Sequence, residues 1–188
     1  MVHLHTEKKE GGLKPYILLV PPEINSFYQI QYQNYHPLGV LALAASLEKN
    51  GFRADVYQPH IKLFNKEKFR ETALEILSGE PDMIGFSSSC TSYPASLLIA
   101  RNIKAVRPEI PVVFGGPQAT LLSKETLGTF DCIDFILGGE CDFTFPELVK
   151  TILFDHDESK LSGIAGLTYK SASGEIIQNK PGGSTNLS

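Results

Sequence analysis

Short apolar runs, separated by stretches of helical periodicity, constrain this chain more than any other feature. Buried strands of a parallel sheet are apolar on both faces and therefore form continuous apolar runs rather than alternating ones. The runs are Tyr16–Val20, Met83–Phe86, Val112–Phe114 and Phe135–Leu137, and Arg53–Tyr57, directly after the first helix, is predicted as a fifth strand. Strands that alternate with helices predict a five-stranded parallel sheet covered by helices on both faces. The predicted class is α/β, of the Rossmann-like or flavodoxin-like kind.

Two helices carry specific signals at their ends. Leu38–Asn50 is apolar nearly all round and is followed by Gly51, a pattern that predicts a buried helix with a glycine at its carboxyl end. Thr144–Glu147 has the form of a capping box, and Phe143 and Leu148 are spaced as a hydrophobic staple. A helix is therefore expected to begin near Phe145.

The carboxyl-terminal part has a different pattern. Two apolar runs at 164–169 and 175–178 flank a short polar segment, which predicts a β-hairpin. We expect residues 1–14 to be extended or disordered, 15–157 to form the main domain, 158–180 the hairpin, and 181–188 a linker toward a further domain.

Composition narrows the classes of function. The formal net charge is -4, which gives no electrostatic reason to expect a nucleic-acid partner. Apolar stretches such as Val40–Ala45 are far shorter than the roughly 18 residues that a membrane-spanning helix needs. With no secretion or transit signal recognisable, a cytoplasmic protein is expected, and Cys90, Cys132 and Cys141 are expected to be reduced thiols.

Four loops follow the predicted strands at one edge of the sheet, where open parallel sheets bind ligands. They are Pro21–Pro37, Ser87–Tyr93, Gly115–Thr120 and Gly138–Phe143. None contains Lys or Arg, which disfavours a nucleoside triphosphate. They offer hydroxyls, aromatic rings, an amide and adjacent glycines, and Gly115 and Gly116 allow a close approach of the backbone to a ligand. This chemistry suits a large ligand rich in amides and poor in charge.

Other α/β functions lack their motifs. A phospho-receiver domain needs an acidic cluster after the first strand and an acceptor Asp after the third, where this chain has Pro21-Pro22 and Ser87. Neither the glycine fingerprint of a dinucleotide fold nor that of a P-loop occurs.

Four strings in order carry a family resemblance. They are Pro37-Leu38-Gly39, Gly85-Phe86-Ser87-Ser88-Ser89, Val113-Phe114-Gly115-Gly116-Pro117-Gln118-Ala119-Thr120 and Gly138-Gly139-Glu140-Cys141-Asp142-Phe143-Thr144-Phe145. Together they resemble the N-terminal cobalamin-binding domain of cobalamin-dependent radical S-adenosylmethionine enzymes. The resemblance covers about 16–177.

The resemblance implies that a corrin ring lies over the strand ends. It also implies that the nucleotide tail of cobalamin enters between Ser87–Tyr93, here called the serine loop, and Gly115–Thr120, here called the Gly-Gly loop. The implied cofactor-binding residues are Leu38, Gly39, Ser87, Ser88, Ser89, Cys90, Thr91, Gly115, Gly116, Pro117, Gln118, Gly139 and Glu140.

One position raises the question of a cobalt ligand. Cobalamin domains that carry methyl groups use D-x-H-x-x-G, in which the His replaces the cofactor's own base below cobalt. This chain has Asn34-Tyr35-His36-Pro37-Leu38-Gly39, which differs from that pattern at one position, where Asn34 replaces the Asp. His36 is therefore a candidate lower ligand, and a structural or exposed loop His is the alternative.

The family's catalytic half carries a C-x-x-x-C-x-x-C iron-sulfur motif that cleaves S-adenosylmethionine, and this sequence has none. The resemblance implies a cofactor cradle followed by a radical catalytic domain, with methyl transfer as the reaction of the whole protein. An α/β interaction or sensory domain that has lost its cofactor is the alternative.

Overall fold

The computed structural model describes residues 14–21, 37–59, 66–155 and 157–181. The strands in these ranges are β1 (Tyr16–Val20), β2 (Arg53–Val56), β3 (Met83–Ser87), β4 (Val112–Gly115), β5 (Phe135–Leu137), β6 (Leu167–Lys170) and β7 (Ile176–Gln178). The α-helices are α1 (Leu38–Lys49), α2 (Lys66–Ser78), α3 (Tyr93–Val106), α4 (Pro117–Leu121), α5 (Ser123–Thr129) and α6 (Thr144–Lys150). A π-helical turn at Thr151–Asp155 and a 3₁₀ helix at Glu158–Gly163 follow α6.

All described strands belong to one sheet, in the order β2-β1-β3-β4-β5-β6-β7. The first five are parallel to one another, while β6 and β7 pair antiparallel at the edge. The predicted α/β class and the five parallel strands are confirmed. The predicted hairpin also forms, and it extends the sheet because β6 pairs with β5.

The two faces of the sheet bury separate apolar clusters. On one face α2, α3 and α5 pack on Leu18, Ile84 and Phe114. On the other face α1 and α6 pack on Leu19 and Val113. Helices on both faces explain why the central strands have no polar side.

Two aspartates fix the amino ends of the strands, at the edge opposite the predicted site. Asp82 precedes β3 and accepts a hydrogen bond from the Tyr16 backbone N–H at 2.8 Å. Asp134 precedes β5 and accepts one from the Val112 N–H at 2.7 Å. Asp134 also pairs with Lys104 at 2.6 Å, and both of these side chains are largely buried. Each aspartate thus ties the start of one strand to its neighbour.

The prediction that α1 is a buried helix is wrong. Only Val40 and Leu47 are buried along it, while Leu38 is 75% exposed and Leu41 is 43% exposed. A uniformly apolar sequence does not reveal which side packs on the sheet, and α1 presents a second apolar face to solvent. Its end is as predicted, because Gly51 follows the C-cap with φ of 90°.

The helix α6 begins at Thr144, close to the predicted Phe145, but its cap differs from the prediction. Its N-cap is Phe143 rather than Thr144, and no side chain caps the helix. Phe143 is 78% exposed whereas Leu148 is fully buried, so these two side chains do not form a staple. Thr144 is instead the first helical residue, which leaves its hydroxyl unable to act as a cap.

Of the helices that the structure describes, none has both the length and the apolar character required to cross a membrane.

Candidate functional site

A cavity of about 210 Å³ lies at the carboxyl ends of the central strands, on the face of the sheet that α1 and α6 cover. Its floor comes from β1, β3 and β4, and its sides come from α1, α6 and the loop after β5. The sheet changes winding direction between β1 and β3, which is where open α/β sheets place ligands.

The cavity exists because neighbouring positions on β3 and β4 carry little or no side chain. Gly85 pairs with Val113, and Ser87 pairs with Gly115 one step nearer the carboxyl edge. All four residues line the cavity. Residues two apart lie on the same face of a strand and are separated by roughly 7 Å. The result is a slot two residues deep between adjacent strands.

An aromatic ring closes the inner end of this slot. Phe145, on the first turn of α6, lines the cavity and is only 3% exposed. A Cβ added at Gly85 would lie 3.2 Å from the Cζ atom of Phe145 and 2.9 Å from Cδ2 of Leu19. The space that Gly85 leaves free is therefore already used by these two side chains.

Two other glycines face open space. A Cβ on Gly39 or Gly139 would meet no atom of the described residues within 4 Å, and both glycines line the cavity. Gly39 lies in the first turn of α1, whereas Gly139 follows β5 and has φ of 85°. These are the points where the backbone is most open to a bound molecule.

The Gly-Gly loop is held by the serine loop. Gly116 has φ of 87° and ψ of 171°, a conformation essentially restricted to glycine. A Cβ there would lie 2.4 Å from the Ser88 carbonyl oxygen. Ser88 is 1% exposed and donates both its backbone N–H and its hydroxyl to the Gly115 carbonyl, each at 2.9 Å. A glycine is therefore needed at position 116 for the packing of the two loops against each other, whether or not a ligand is bound.

The remaining hydroxyls of the serine loop bind one another. The Ser89 hydroxyl lies 3.0 Å from that of Thr91 and 3.2 Å from that of Ser92, and the Ser92 hydroxyl accepts the Ser89 N–H at 3.0 Å. Ser92 is buried directly before α3, while Cys90 is exposed. This network gives the loop a defined shape beside the cavity.

The loop after β5 gives the cavity an acidic border. Glu140 and Asp142 line it, and the Asp142 carbonyl accepts a hydrogen bond from Ser46 on α1. Burial, reinforced by these two carboxylates, raises the pKa of the Cys141 thiol to about 11. Cys141 also lines the cavity, and its thiol donates to the Gly139 carbonyl at 3.2 Å. It is therefore protonated at neutral pH.

The structure separates the sequence-predicted site residues into two groups. Those that line the cavity are Gly39, Ser87, Gly115, Gly116, Gly139 and Glu140. Those that lie outside its lining are Leu38, Ser88, Ser89, Cys90, Thr91, Pro117 and Gln118. Pro117 and Thr91 are exposed, and Gln118 is partly exposed. His36 and the aromatic residues before it, Phe27, Tyr28, Tyr32 and Tyr35, lie outside the described residues.

Sequence reasoning missed the apolar wall of the cavity. Val40 and Leu43 of α1 and Phe145 of α6 line it, as does Leu137 at the end of β5. A glycine inside an otherwise apolar strand is a recognised sign of close approach, so Gly85 was the available signal. Which distant side chain approaches Gly85 is decided by the tertiary fold.

Comparisons with known proteins agree with this geometry. The family model for the B12 binding domain matches residues 31–149, more than half of the chain. An uncharacterised methyltransferase of Pyrococcus horikoshii is 28% identical over 165 residues, which are 88% of this chain and 34% of the relative. An anaerobic magnesium-protoporphyrin IX monomethyl ester cyclase of Synechocystis is 24% identical over 151 residues, 79% of this chain and 30% of the relative. The chain thus spans about a third of the length of these relatives.

A solved structure shares the fold. The cobalamin-dependent S-adenosylmethionine radical enzyme OxsB, determined with aqua-cobalamin bound, superposes with a TM-score of 0.65 at 17% identity. The match covers 90% of this chain and 23% of OxsB. The resemblance recognised in the four loop strings is confirmed by these matches: the chain belongs to the B12-binding domain family.

Proposed function

We propose that this chain binds cobalamin with the heterocyclic base of the nucleotide tail in the slot between β3 and β4 and with the corrin ring over the strand ends. The observation that carries the proposal is the cavity at the carboxyl ends of β3 and β4, lined by Ser87, Val113 and Gly115, with Leu19 and Phe145 filling only its inner end at Gly85.

The chemistry of the walls supports this ligand. Most of the lining is apolar, as a flat aromatic base requires. No Lys or Arg is among the residues that line the cavity, and Glu140 and Asp142 border it. A multiply charged phosphate would be repelled there, whereas the amides of a corrin ring can donate hydrogen bonds to carboxylates.

The proposed roles follow from position. Gly39 and Gly139 admit the ligand because a Cβ at either would project into open space. Ser87 has a side chain at the outer row of the slot and is placed to contact the tail. Ser88, Ser89 and Gly116 shape the loops through the contacts described above. Leu38, Cys90, Thr91, Pro117 and Gln118 are assigned to the surface near the ring.

The larger protein is also part of the proposal. The names of the relatives and of OxsB support a cofactor-binding module within a radical S-adenosylmethionine enzyme, with methyl transfer as its reaction. Bound cobalamin would supply the cobalt that carries the methyl group. An iron-sulfur cluster and S-adenosylmethionine would belong to a catalytic domain that follows this one, in the cytoplasm.

The alternative of a domain that has lost its cofactor predicts a slot filled by its own side chains. Among the described residues, Leu19 and Phe145 fill only the inner end of the slot, and the cavity that remains at the strand ends favours cofactor binding over that alternative.

Reconstitution tests the proposal. The purified chain is mixed with hydroxocobalamin, desalted and examined by absorbance. We expect a retained corrinoid. Because a base held in the slot cannot coordinate cobalt, its spectrum should resemble that of cobinamide if no side chain replaces the base, and that of cobalamin with its base coordinated if His36 does. A colourless protein would contradict the proposal. In the same assay His36→Ala should change the retained spectrum if His36 is the lower ligand, and should leave it unchanged if His36 is only a loop residue.

A further inference from the structure

The inner end of the slot is closed by one contact between residues distant in sequence. The tip of the Phe145 ring fills the space beside Gly85, with Leu19 on the neighbouring strand at the other side. All three residues line the cavity.

The ring has little freedom to retreat. Phe145 is 3% exposed, and its backbone N–H donates to the Cys141 carbonyl at 2.9 Å. Leu148 and Val149 are fully buried behind it on the same helix. Toward the sheet, the ring already lies within van der Waals distance of the position a Gly85 Cβ would take.

We propose that Phe145 is a specificity-determining residue that sets how large a lower base the slot accepts. This inference rests on the proposed function, because it concerns the same cavity. With the ring in place, the slot ends at the pair of residues Gly85 and Val113, and it admits a base of limited length. A corrinoid whose base carries an additional fused ring would have to displace Phe145.

Two substitutions change the slot in opposite directions. Phe145→Leu removes the tip of the ring and lengthens the slot. Gly85→Ala adds a methyl group 2.9 Å from a Leu19 side-chain atom and 3.2 Å from the tip of the Phe145 ring, so it takes up space at the inner end of the slot. Phe143→Leu is the matched control, because it makes the same chemical change at the N-cap of the same helix, at a side chain that is 78% exposed.

The experiment measures the affinity of each variant for three corrinoids. Cobinamide has no base, cobalamin has dimethylbenzimidazole, and a third cobamide carries the larger naphthimidazole. One methylene of misfit in an apolar pocket changes affinity by about tenfold or more. The wild type and Phe143→Leu should therefore prefer cobalamin over the naphthimidazole cobamide by about tenfold or more, and Phe145→Leu should largely remove this preference.

Gly85→Ala should weaken cobalamin binding by about tenfold and cobinamide binding by clearly less, because cobinamide has no base to enter the slot. It also serves as the test if Phe145→Leu does not fold. An unchanged preference in the Phe145 variant, an equal change in the Phe143 control, or unaltered cobalamin binding by Gly85→Ala would overturn the inference alone. Failure of the wild type to bind cobalamin would overturn the proposed function and this inference together.

Discussion

Replacing Gly116 by Ala should destabilise the domain strongly, whereas the same change at Gly39 should not. Both glycines line the cavity, and both belong to strings that carry the family resemblance. The structure gives them different roles. Gly116 is held against the Ser88 backbone in a conformation that other residues avoid, while Gly39 faces open space within a helix.

The magnitudes follow from the contacts. Holding an Ala in the backbone conformation of Gly116 costs about 1–3 kcal/mol. Its Cβ would lie 2.4 Å from the Ser88 oxygen, so Ser88 must move and strain its two hydrogen bonds to Gly115. Such bonds contribute about 1 kcal/mol each. The total loss is about 2–5 kcal/mol, whereas Gly39→Ala should gain up to about 1 kcal/mol from helix propensity.

Urea unfolding followed by circular dichroism measures the difference. With a denaturant dependence of about 2 kcal/mol per molar, the midpoint of Gly116→Ala should fall by roughly 1–2.5 M and that of Gly39→Ala should stay level or rise. Equal midpoints for Gly116→Ala and the wild type would refute the role assigned to the Ser88 contact.

Three further predictions concern groups outside that loop. Lys104→Met should lower the melting temperature by roughly 6–12 °C, since an unpaired, nearly buried Asp134 costs about 3 kcal/mol. Adding Asp134→Asn to this variant should restore part of the loss. An unchanged melting temperature in Lys104→Met would contradict the importance of the pair. Near pH 8, iodoacetamide labelling followed by mass spectrometry should modify the exposed Cys90 well before Cys132 and Cys141, because burial raises the pKa of both of those thiols. As pH rises from about 8.5 toward 11, Cys141 loses its proton in the unfolded chain before it does so in the folded one, so the free energy of unfolding should fall. Rapid labelling of Cys141, or a free energy of unfolding that stays constant over this range, would contradict its raised pKa.

The central strands were readable from the sequence because burial on both faces makes them continuous apolar runs, whereas β2 lies at the edge of the sheet and carries the exposed Arg53 and Asp55. The proximity of the serine loop to the Gly-Gly loop was also readable, since they follow β3 and β4, which are adjacent. Strand identity and strand order were enough to bring these two loops to the same edge.

Other features depend on contacts that no local pattern encodes. Gly39 and Gly116 look alike in sequence, but only the packed structure shows that Ser88 occupies the space next to one of them. The contact between Gly85 and Phe145 joins residues far apart in the chain. The exposed side of α1 was misjudged for a related reason: composition shows that a helix is apolar, whereas the packing shows which side is covered.

An absorbance titration with hydroxocobalamin tests the central claim most directly, comparing the wild type with Gly39→Leu and Gly163→Leu. A Cβ at Gly39 or at Gly163 would meet no atom of the described residues within 4 Å, but Gly39 lines the cavity whereas Gly163 lies outside its lining. We predict that the wild type and Gly163→Leu bind alike and that Gly39→Leu binds about tenfold more weakly or worse. Absence of binding by the wild type, or equal binding by Gly39→Leu, would contradict the claim that this cavity holds cobalamin.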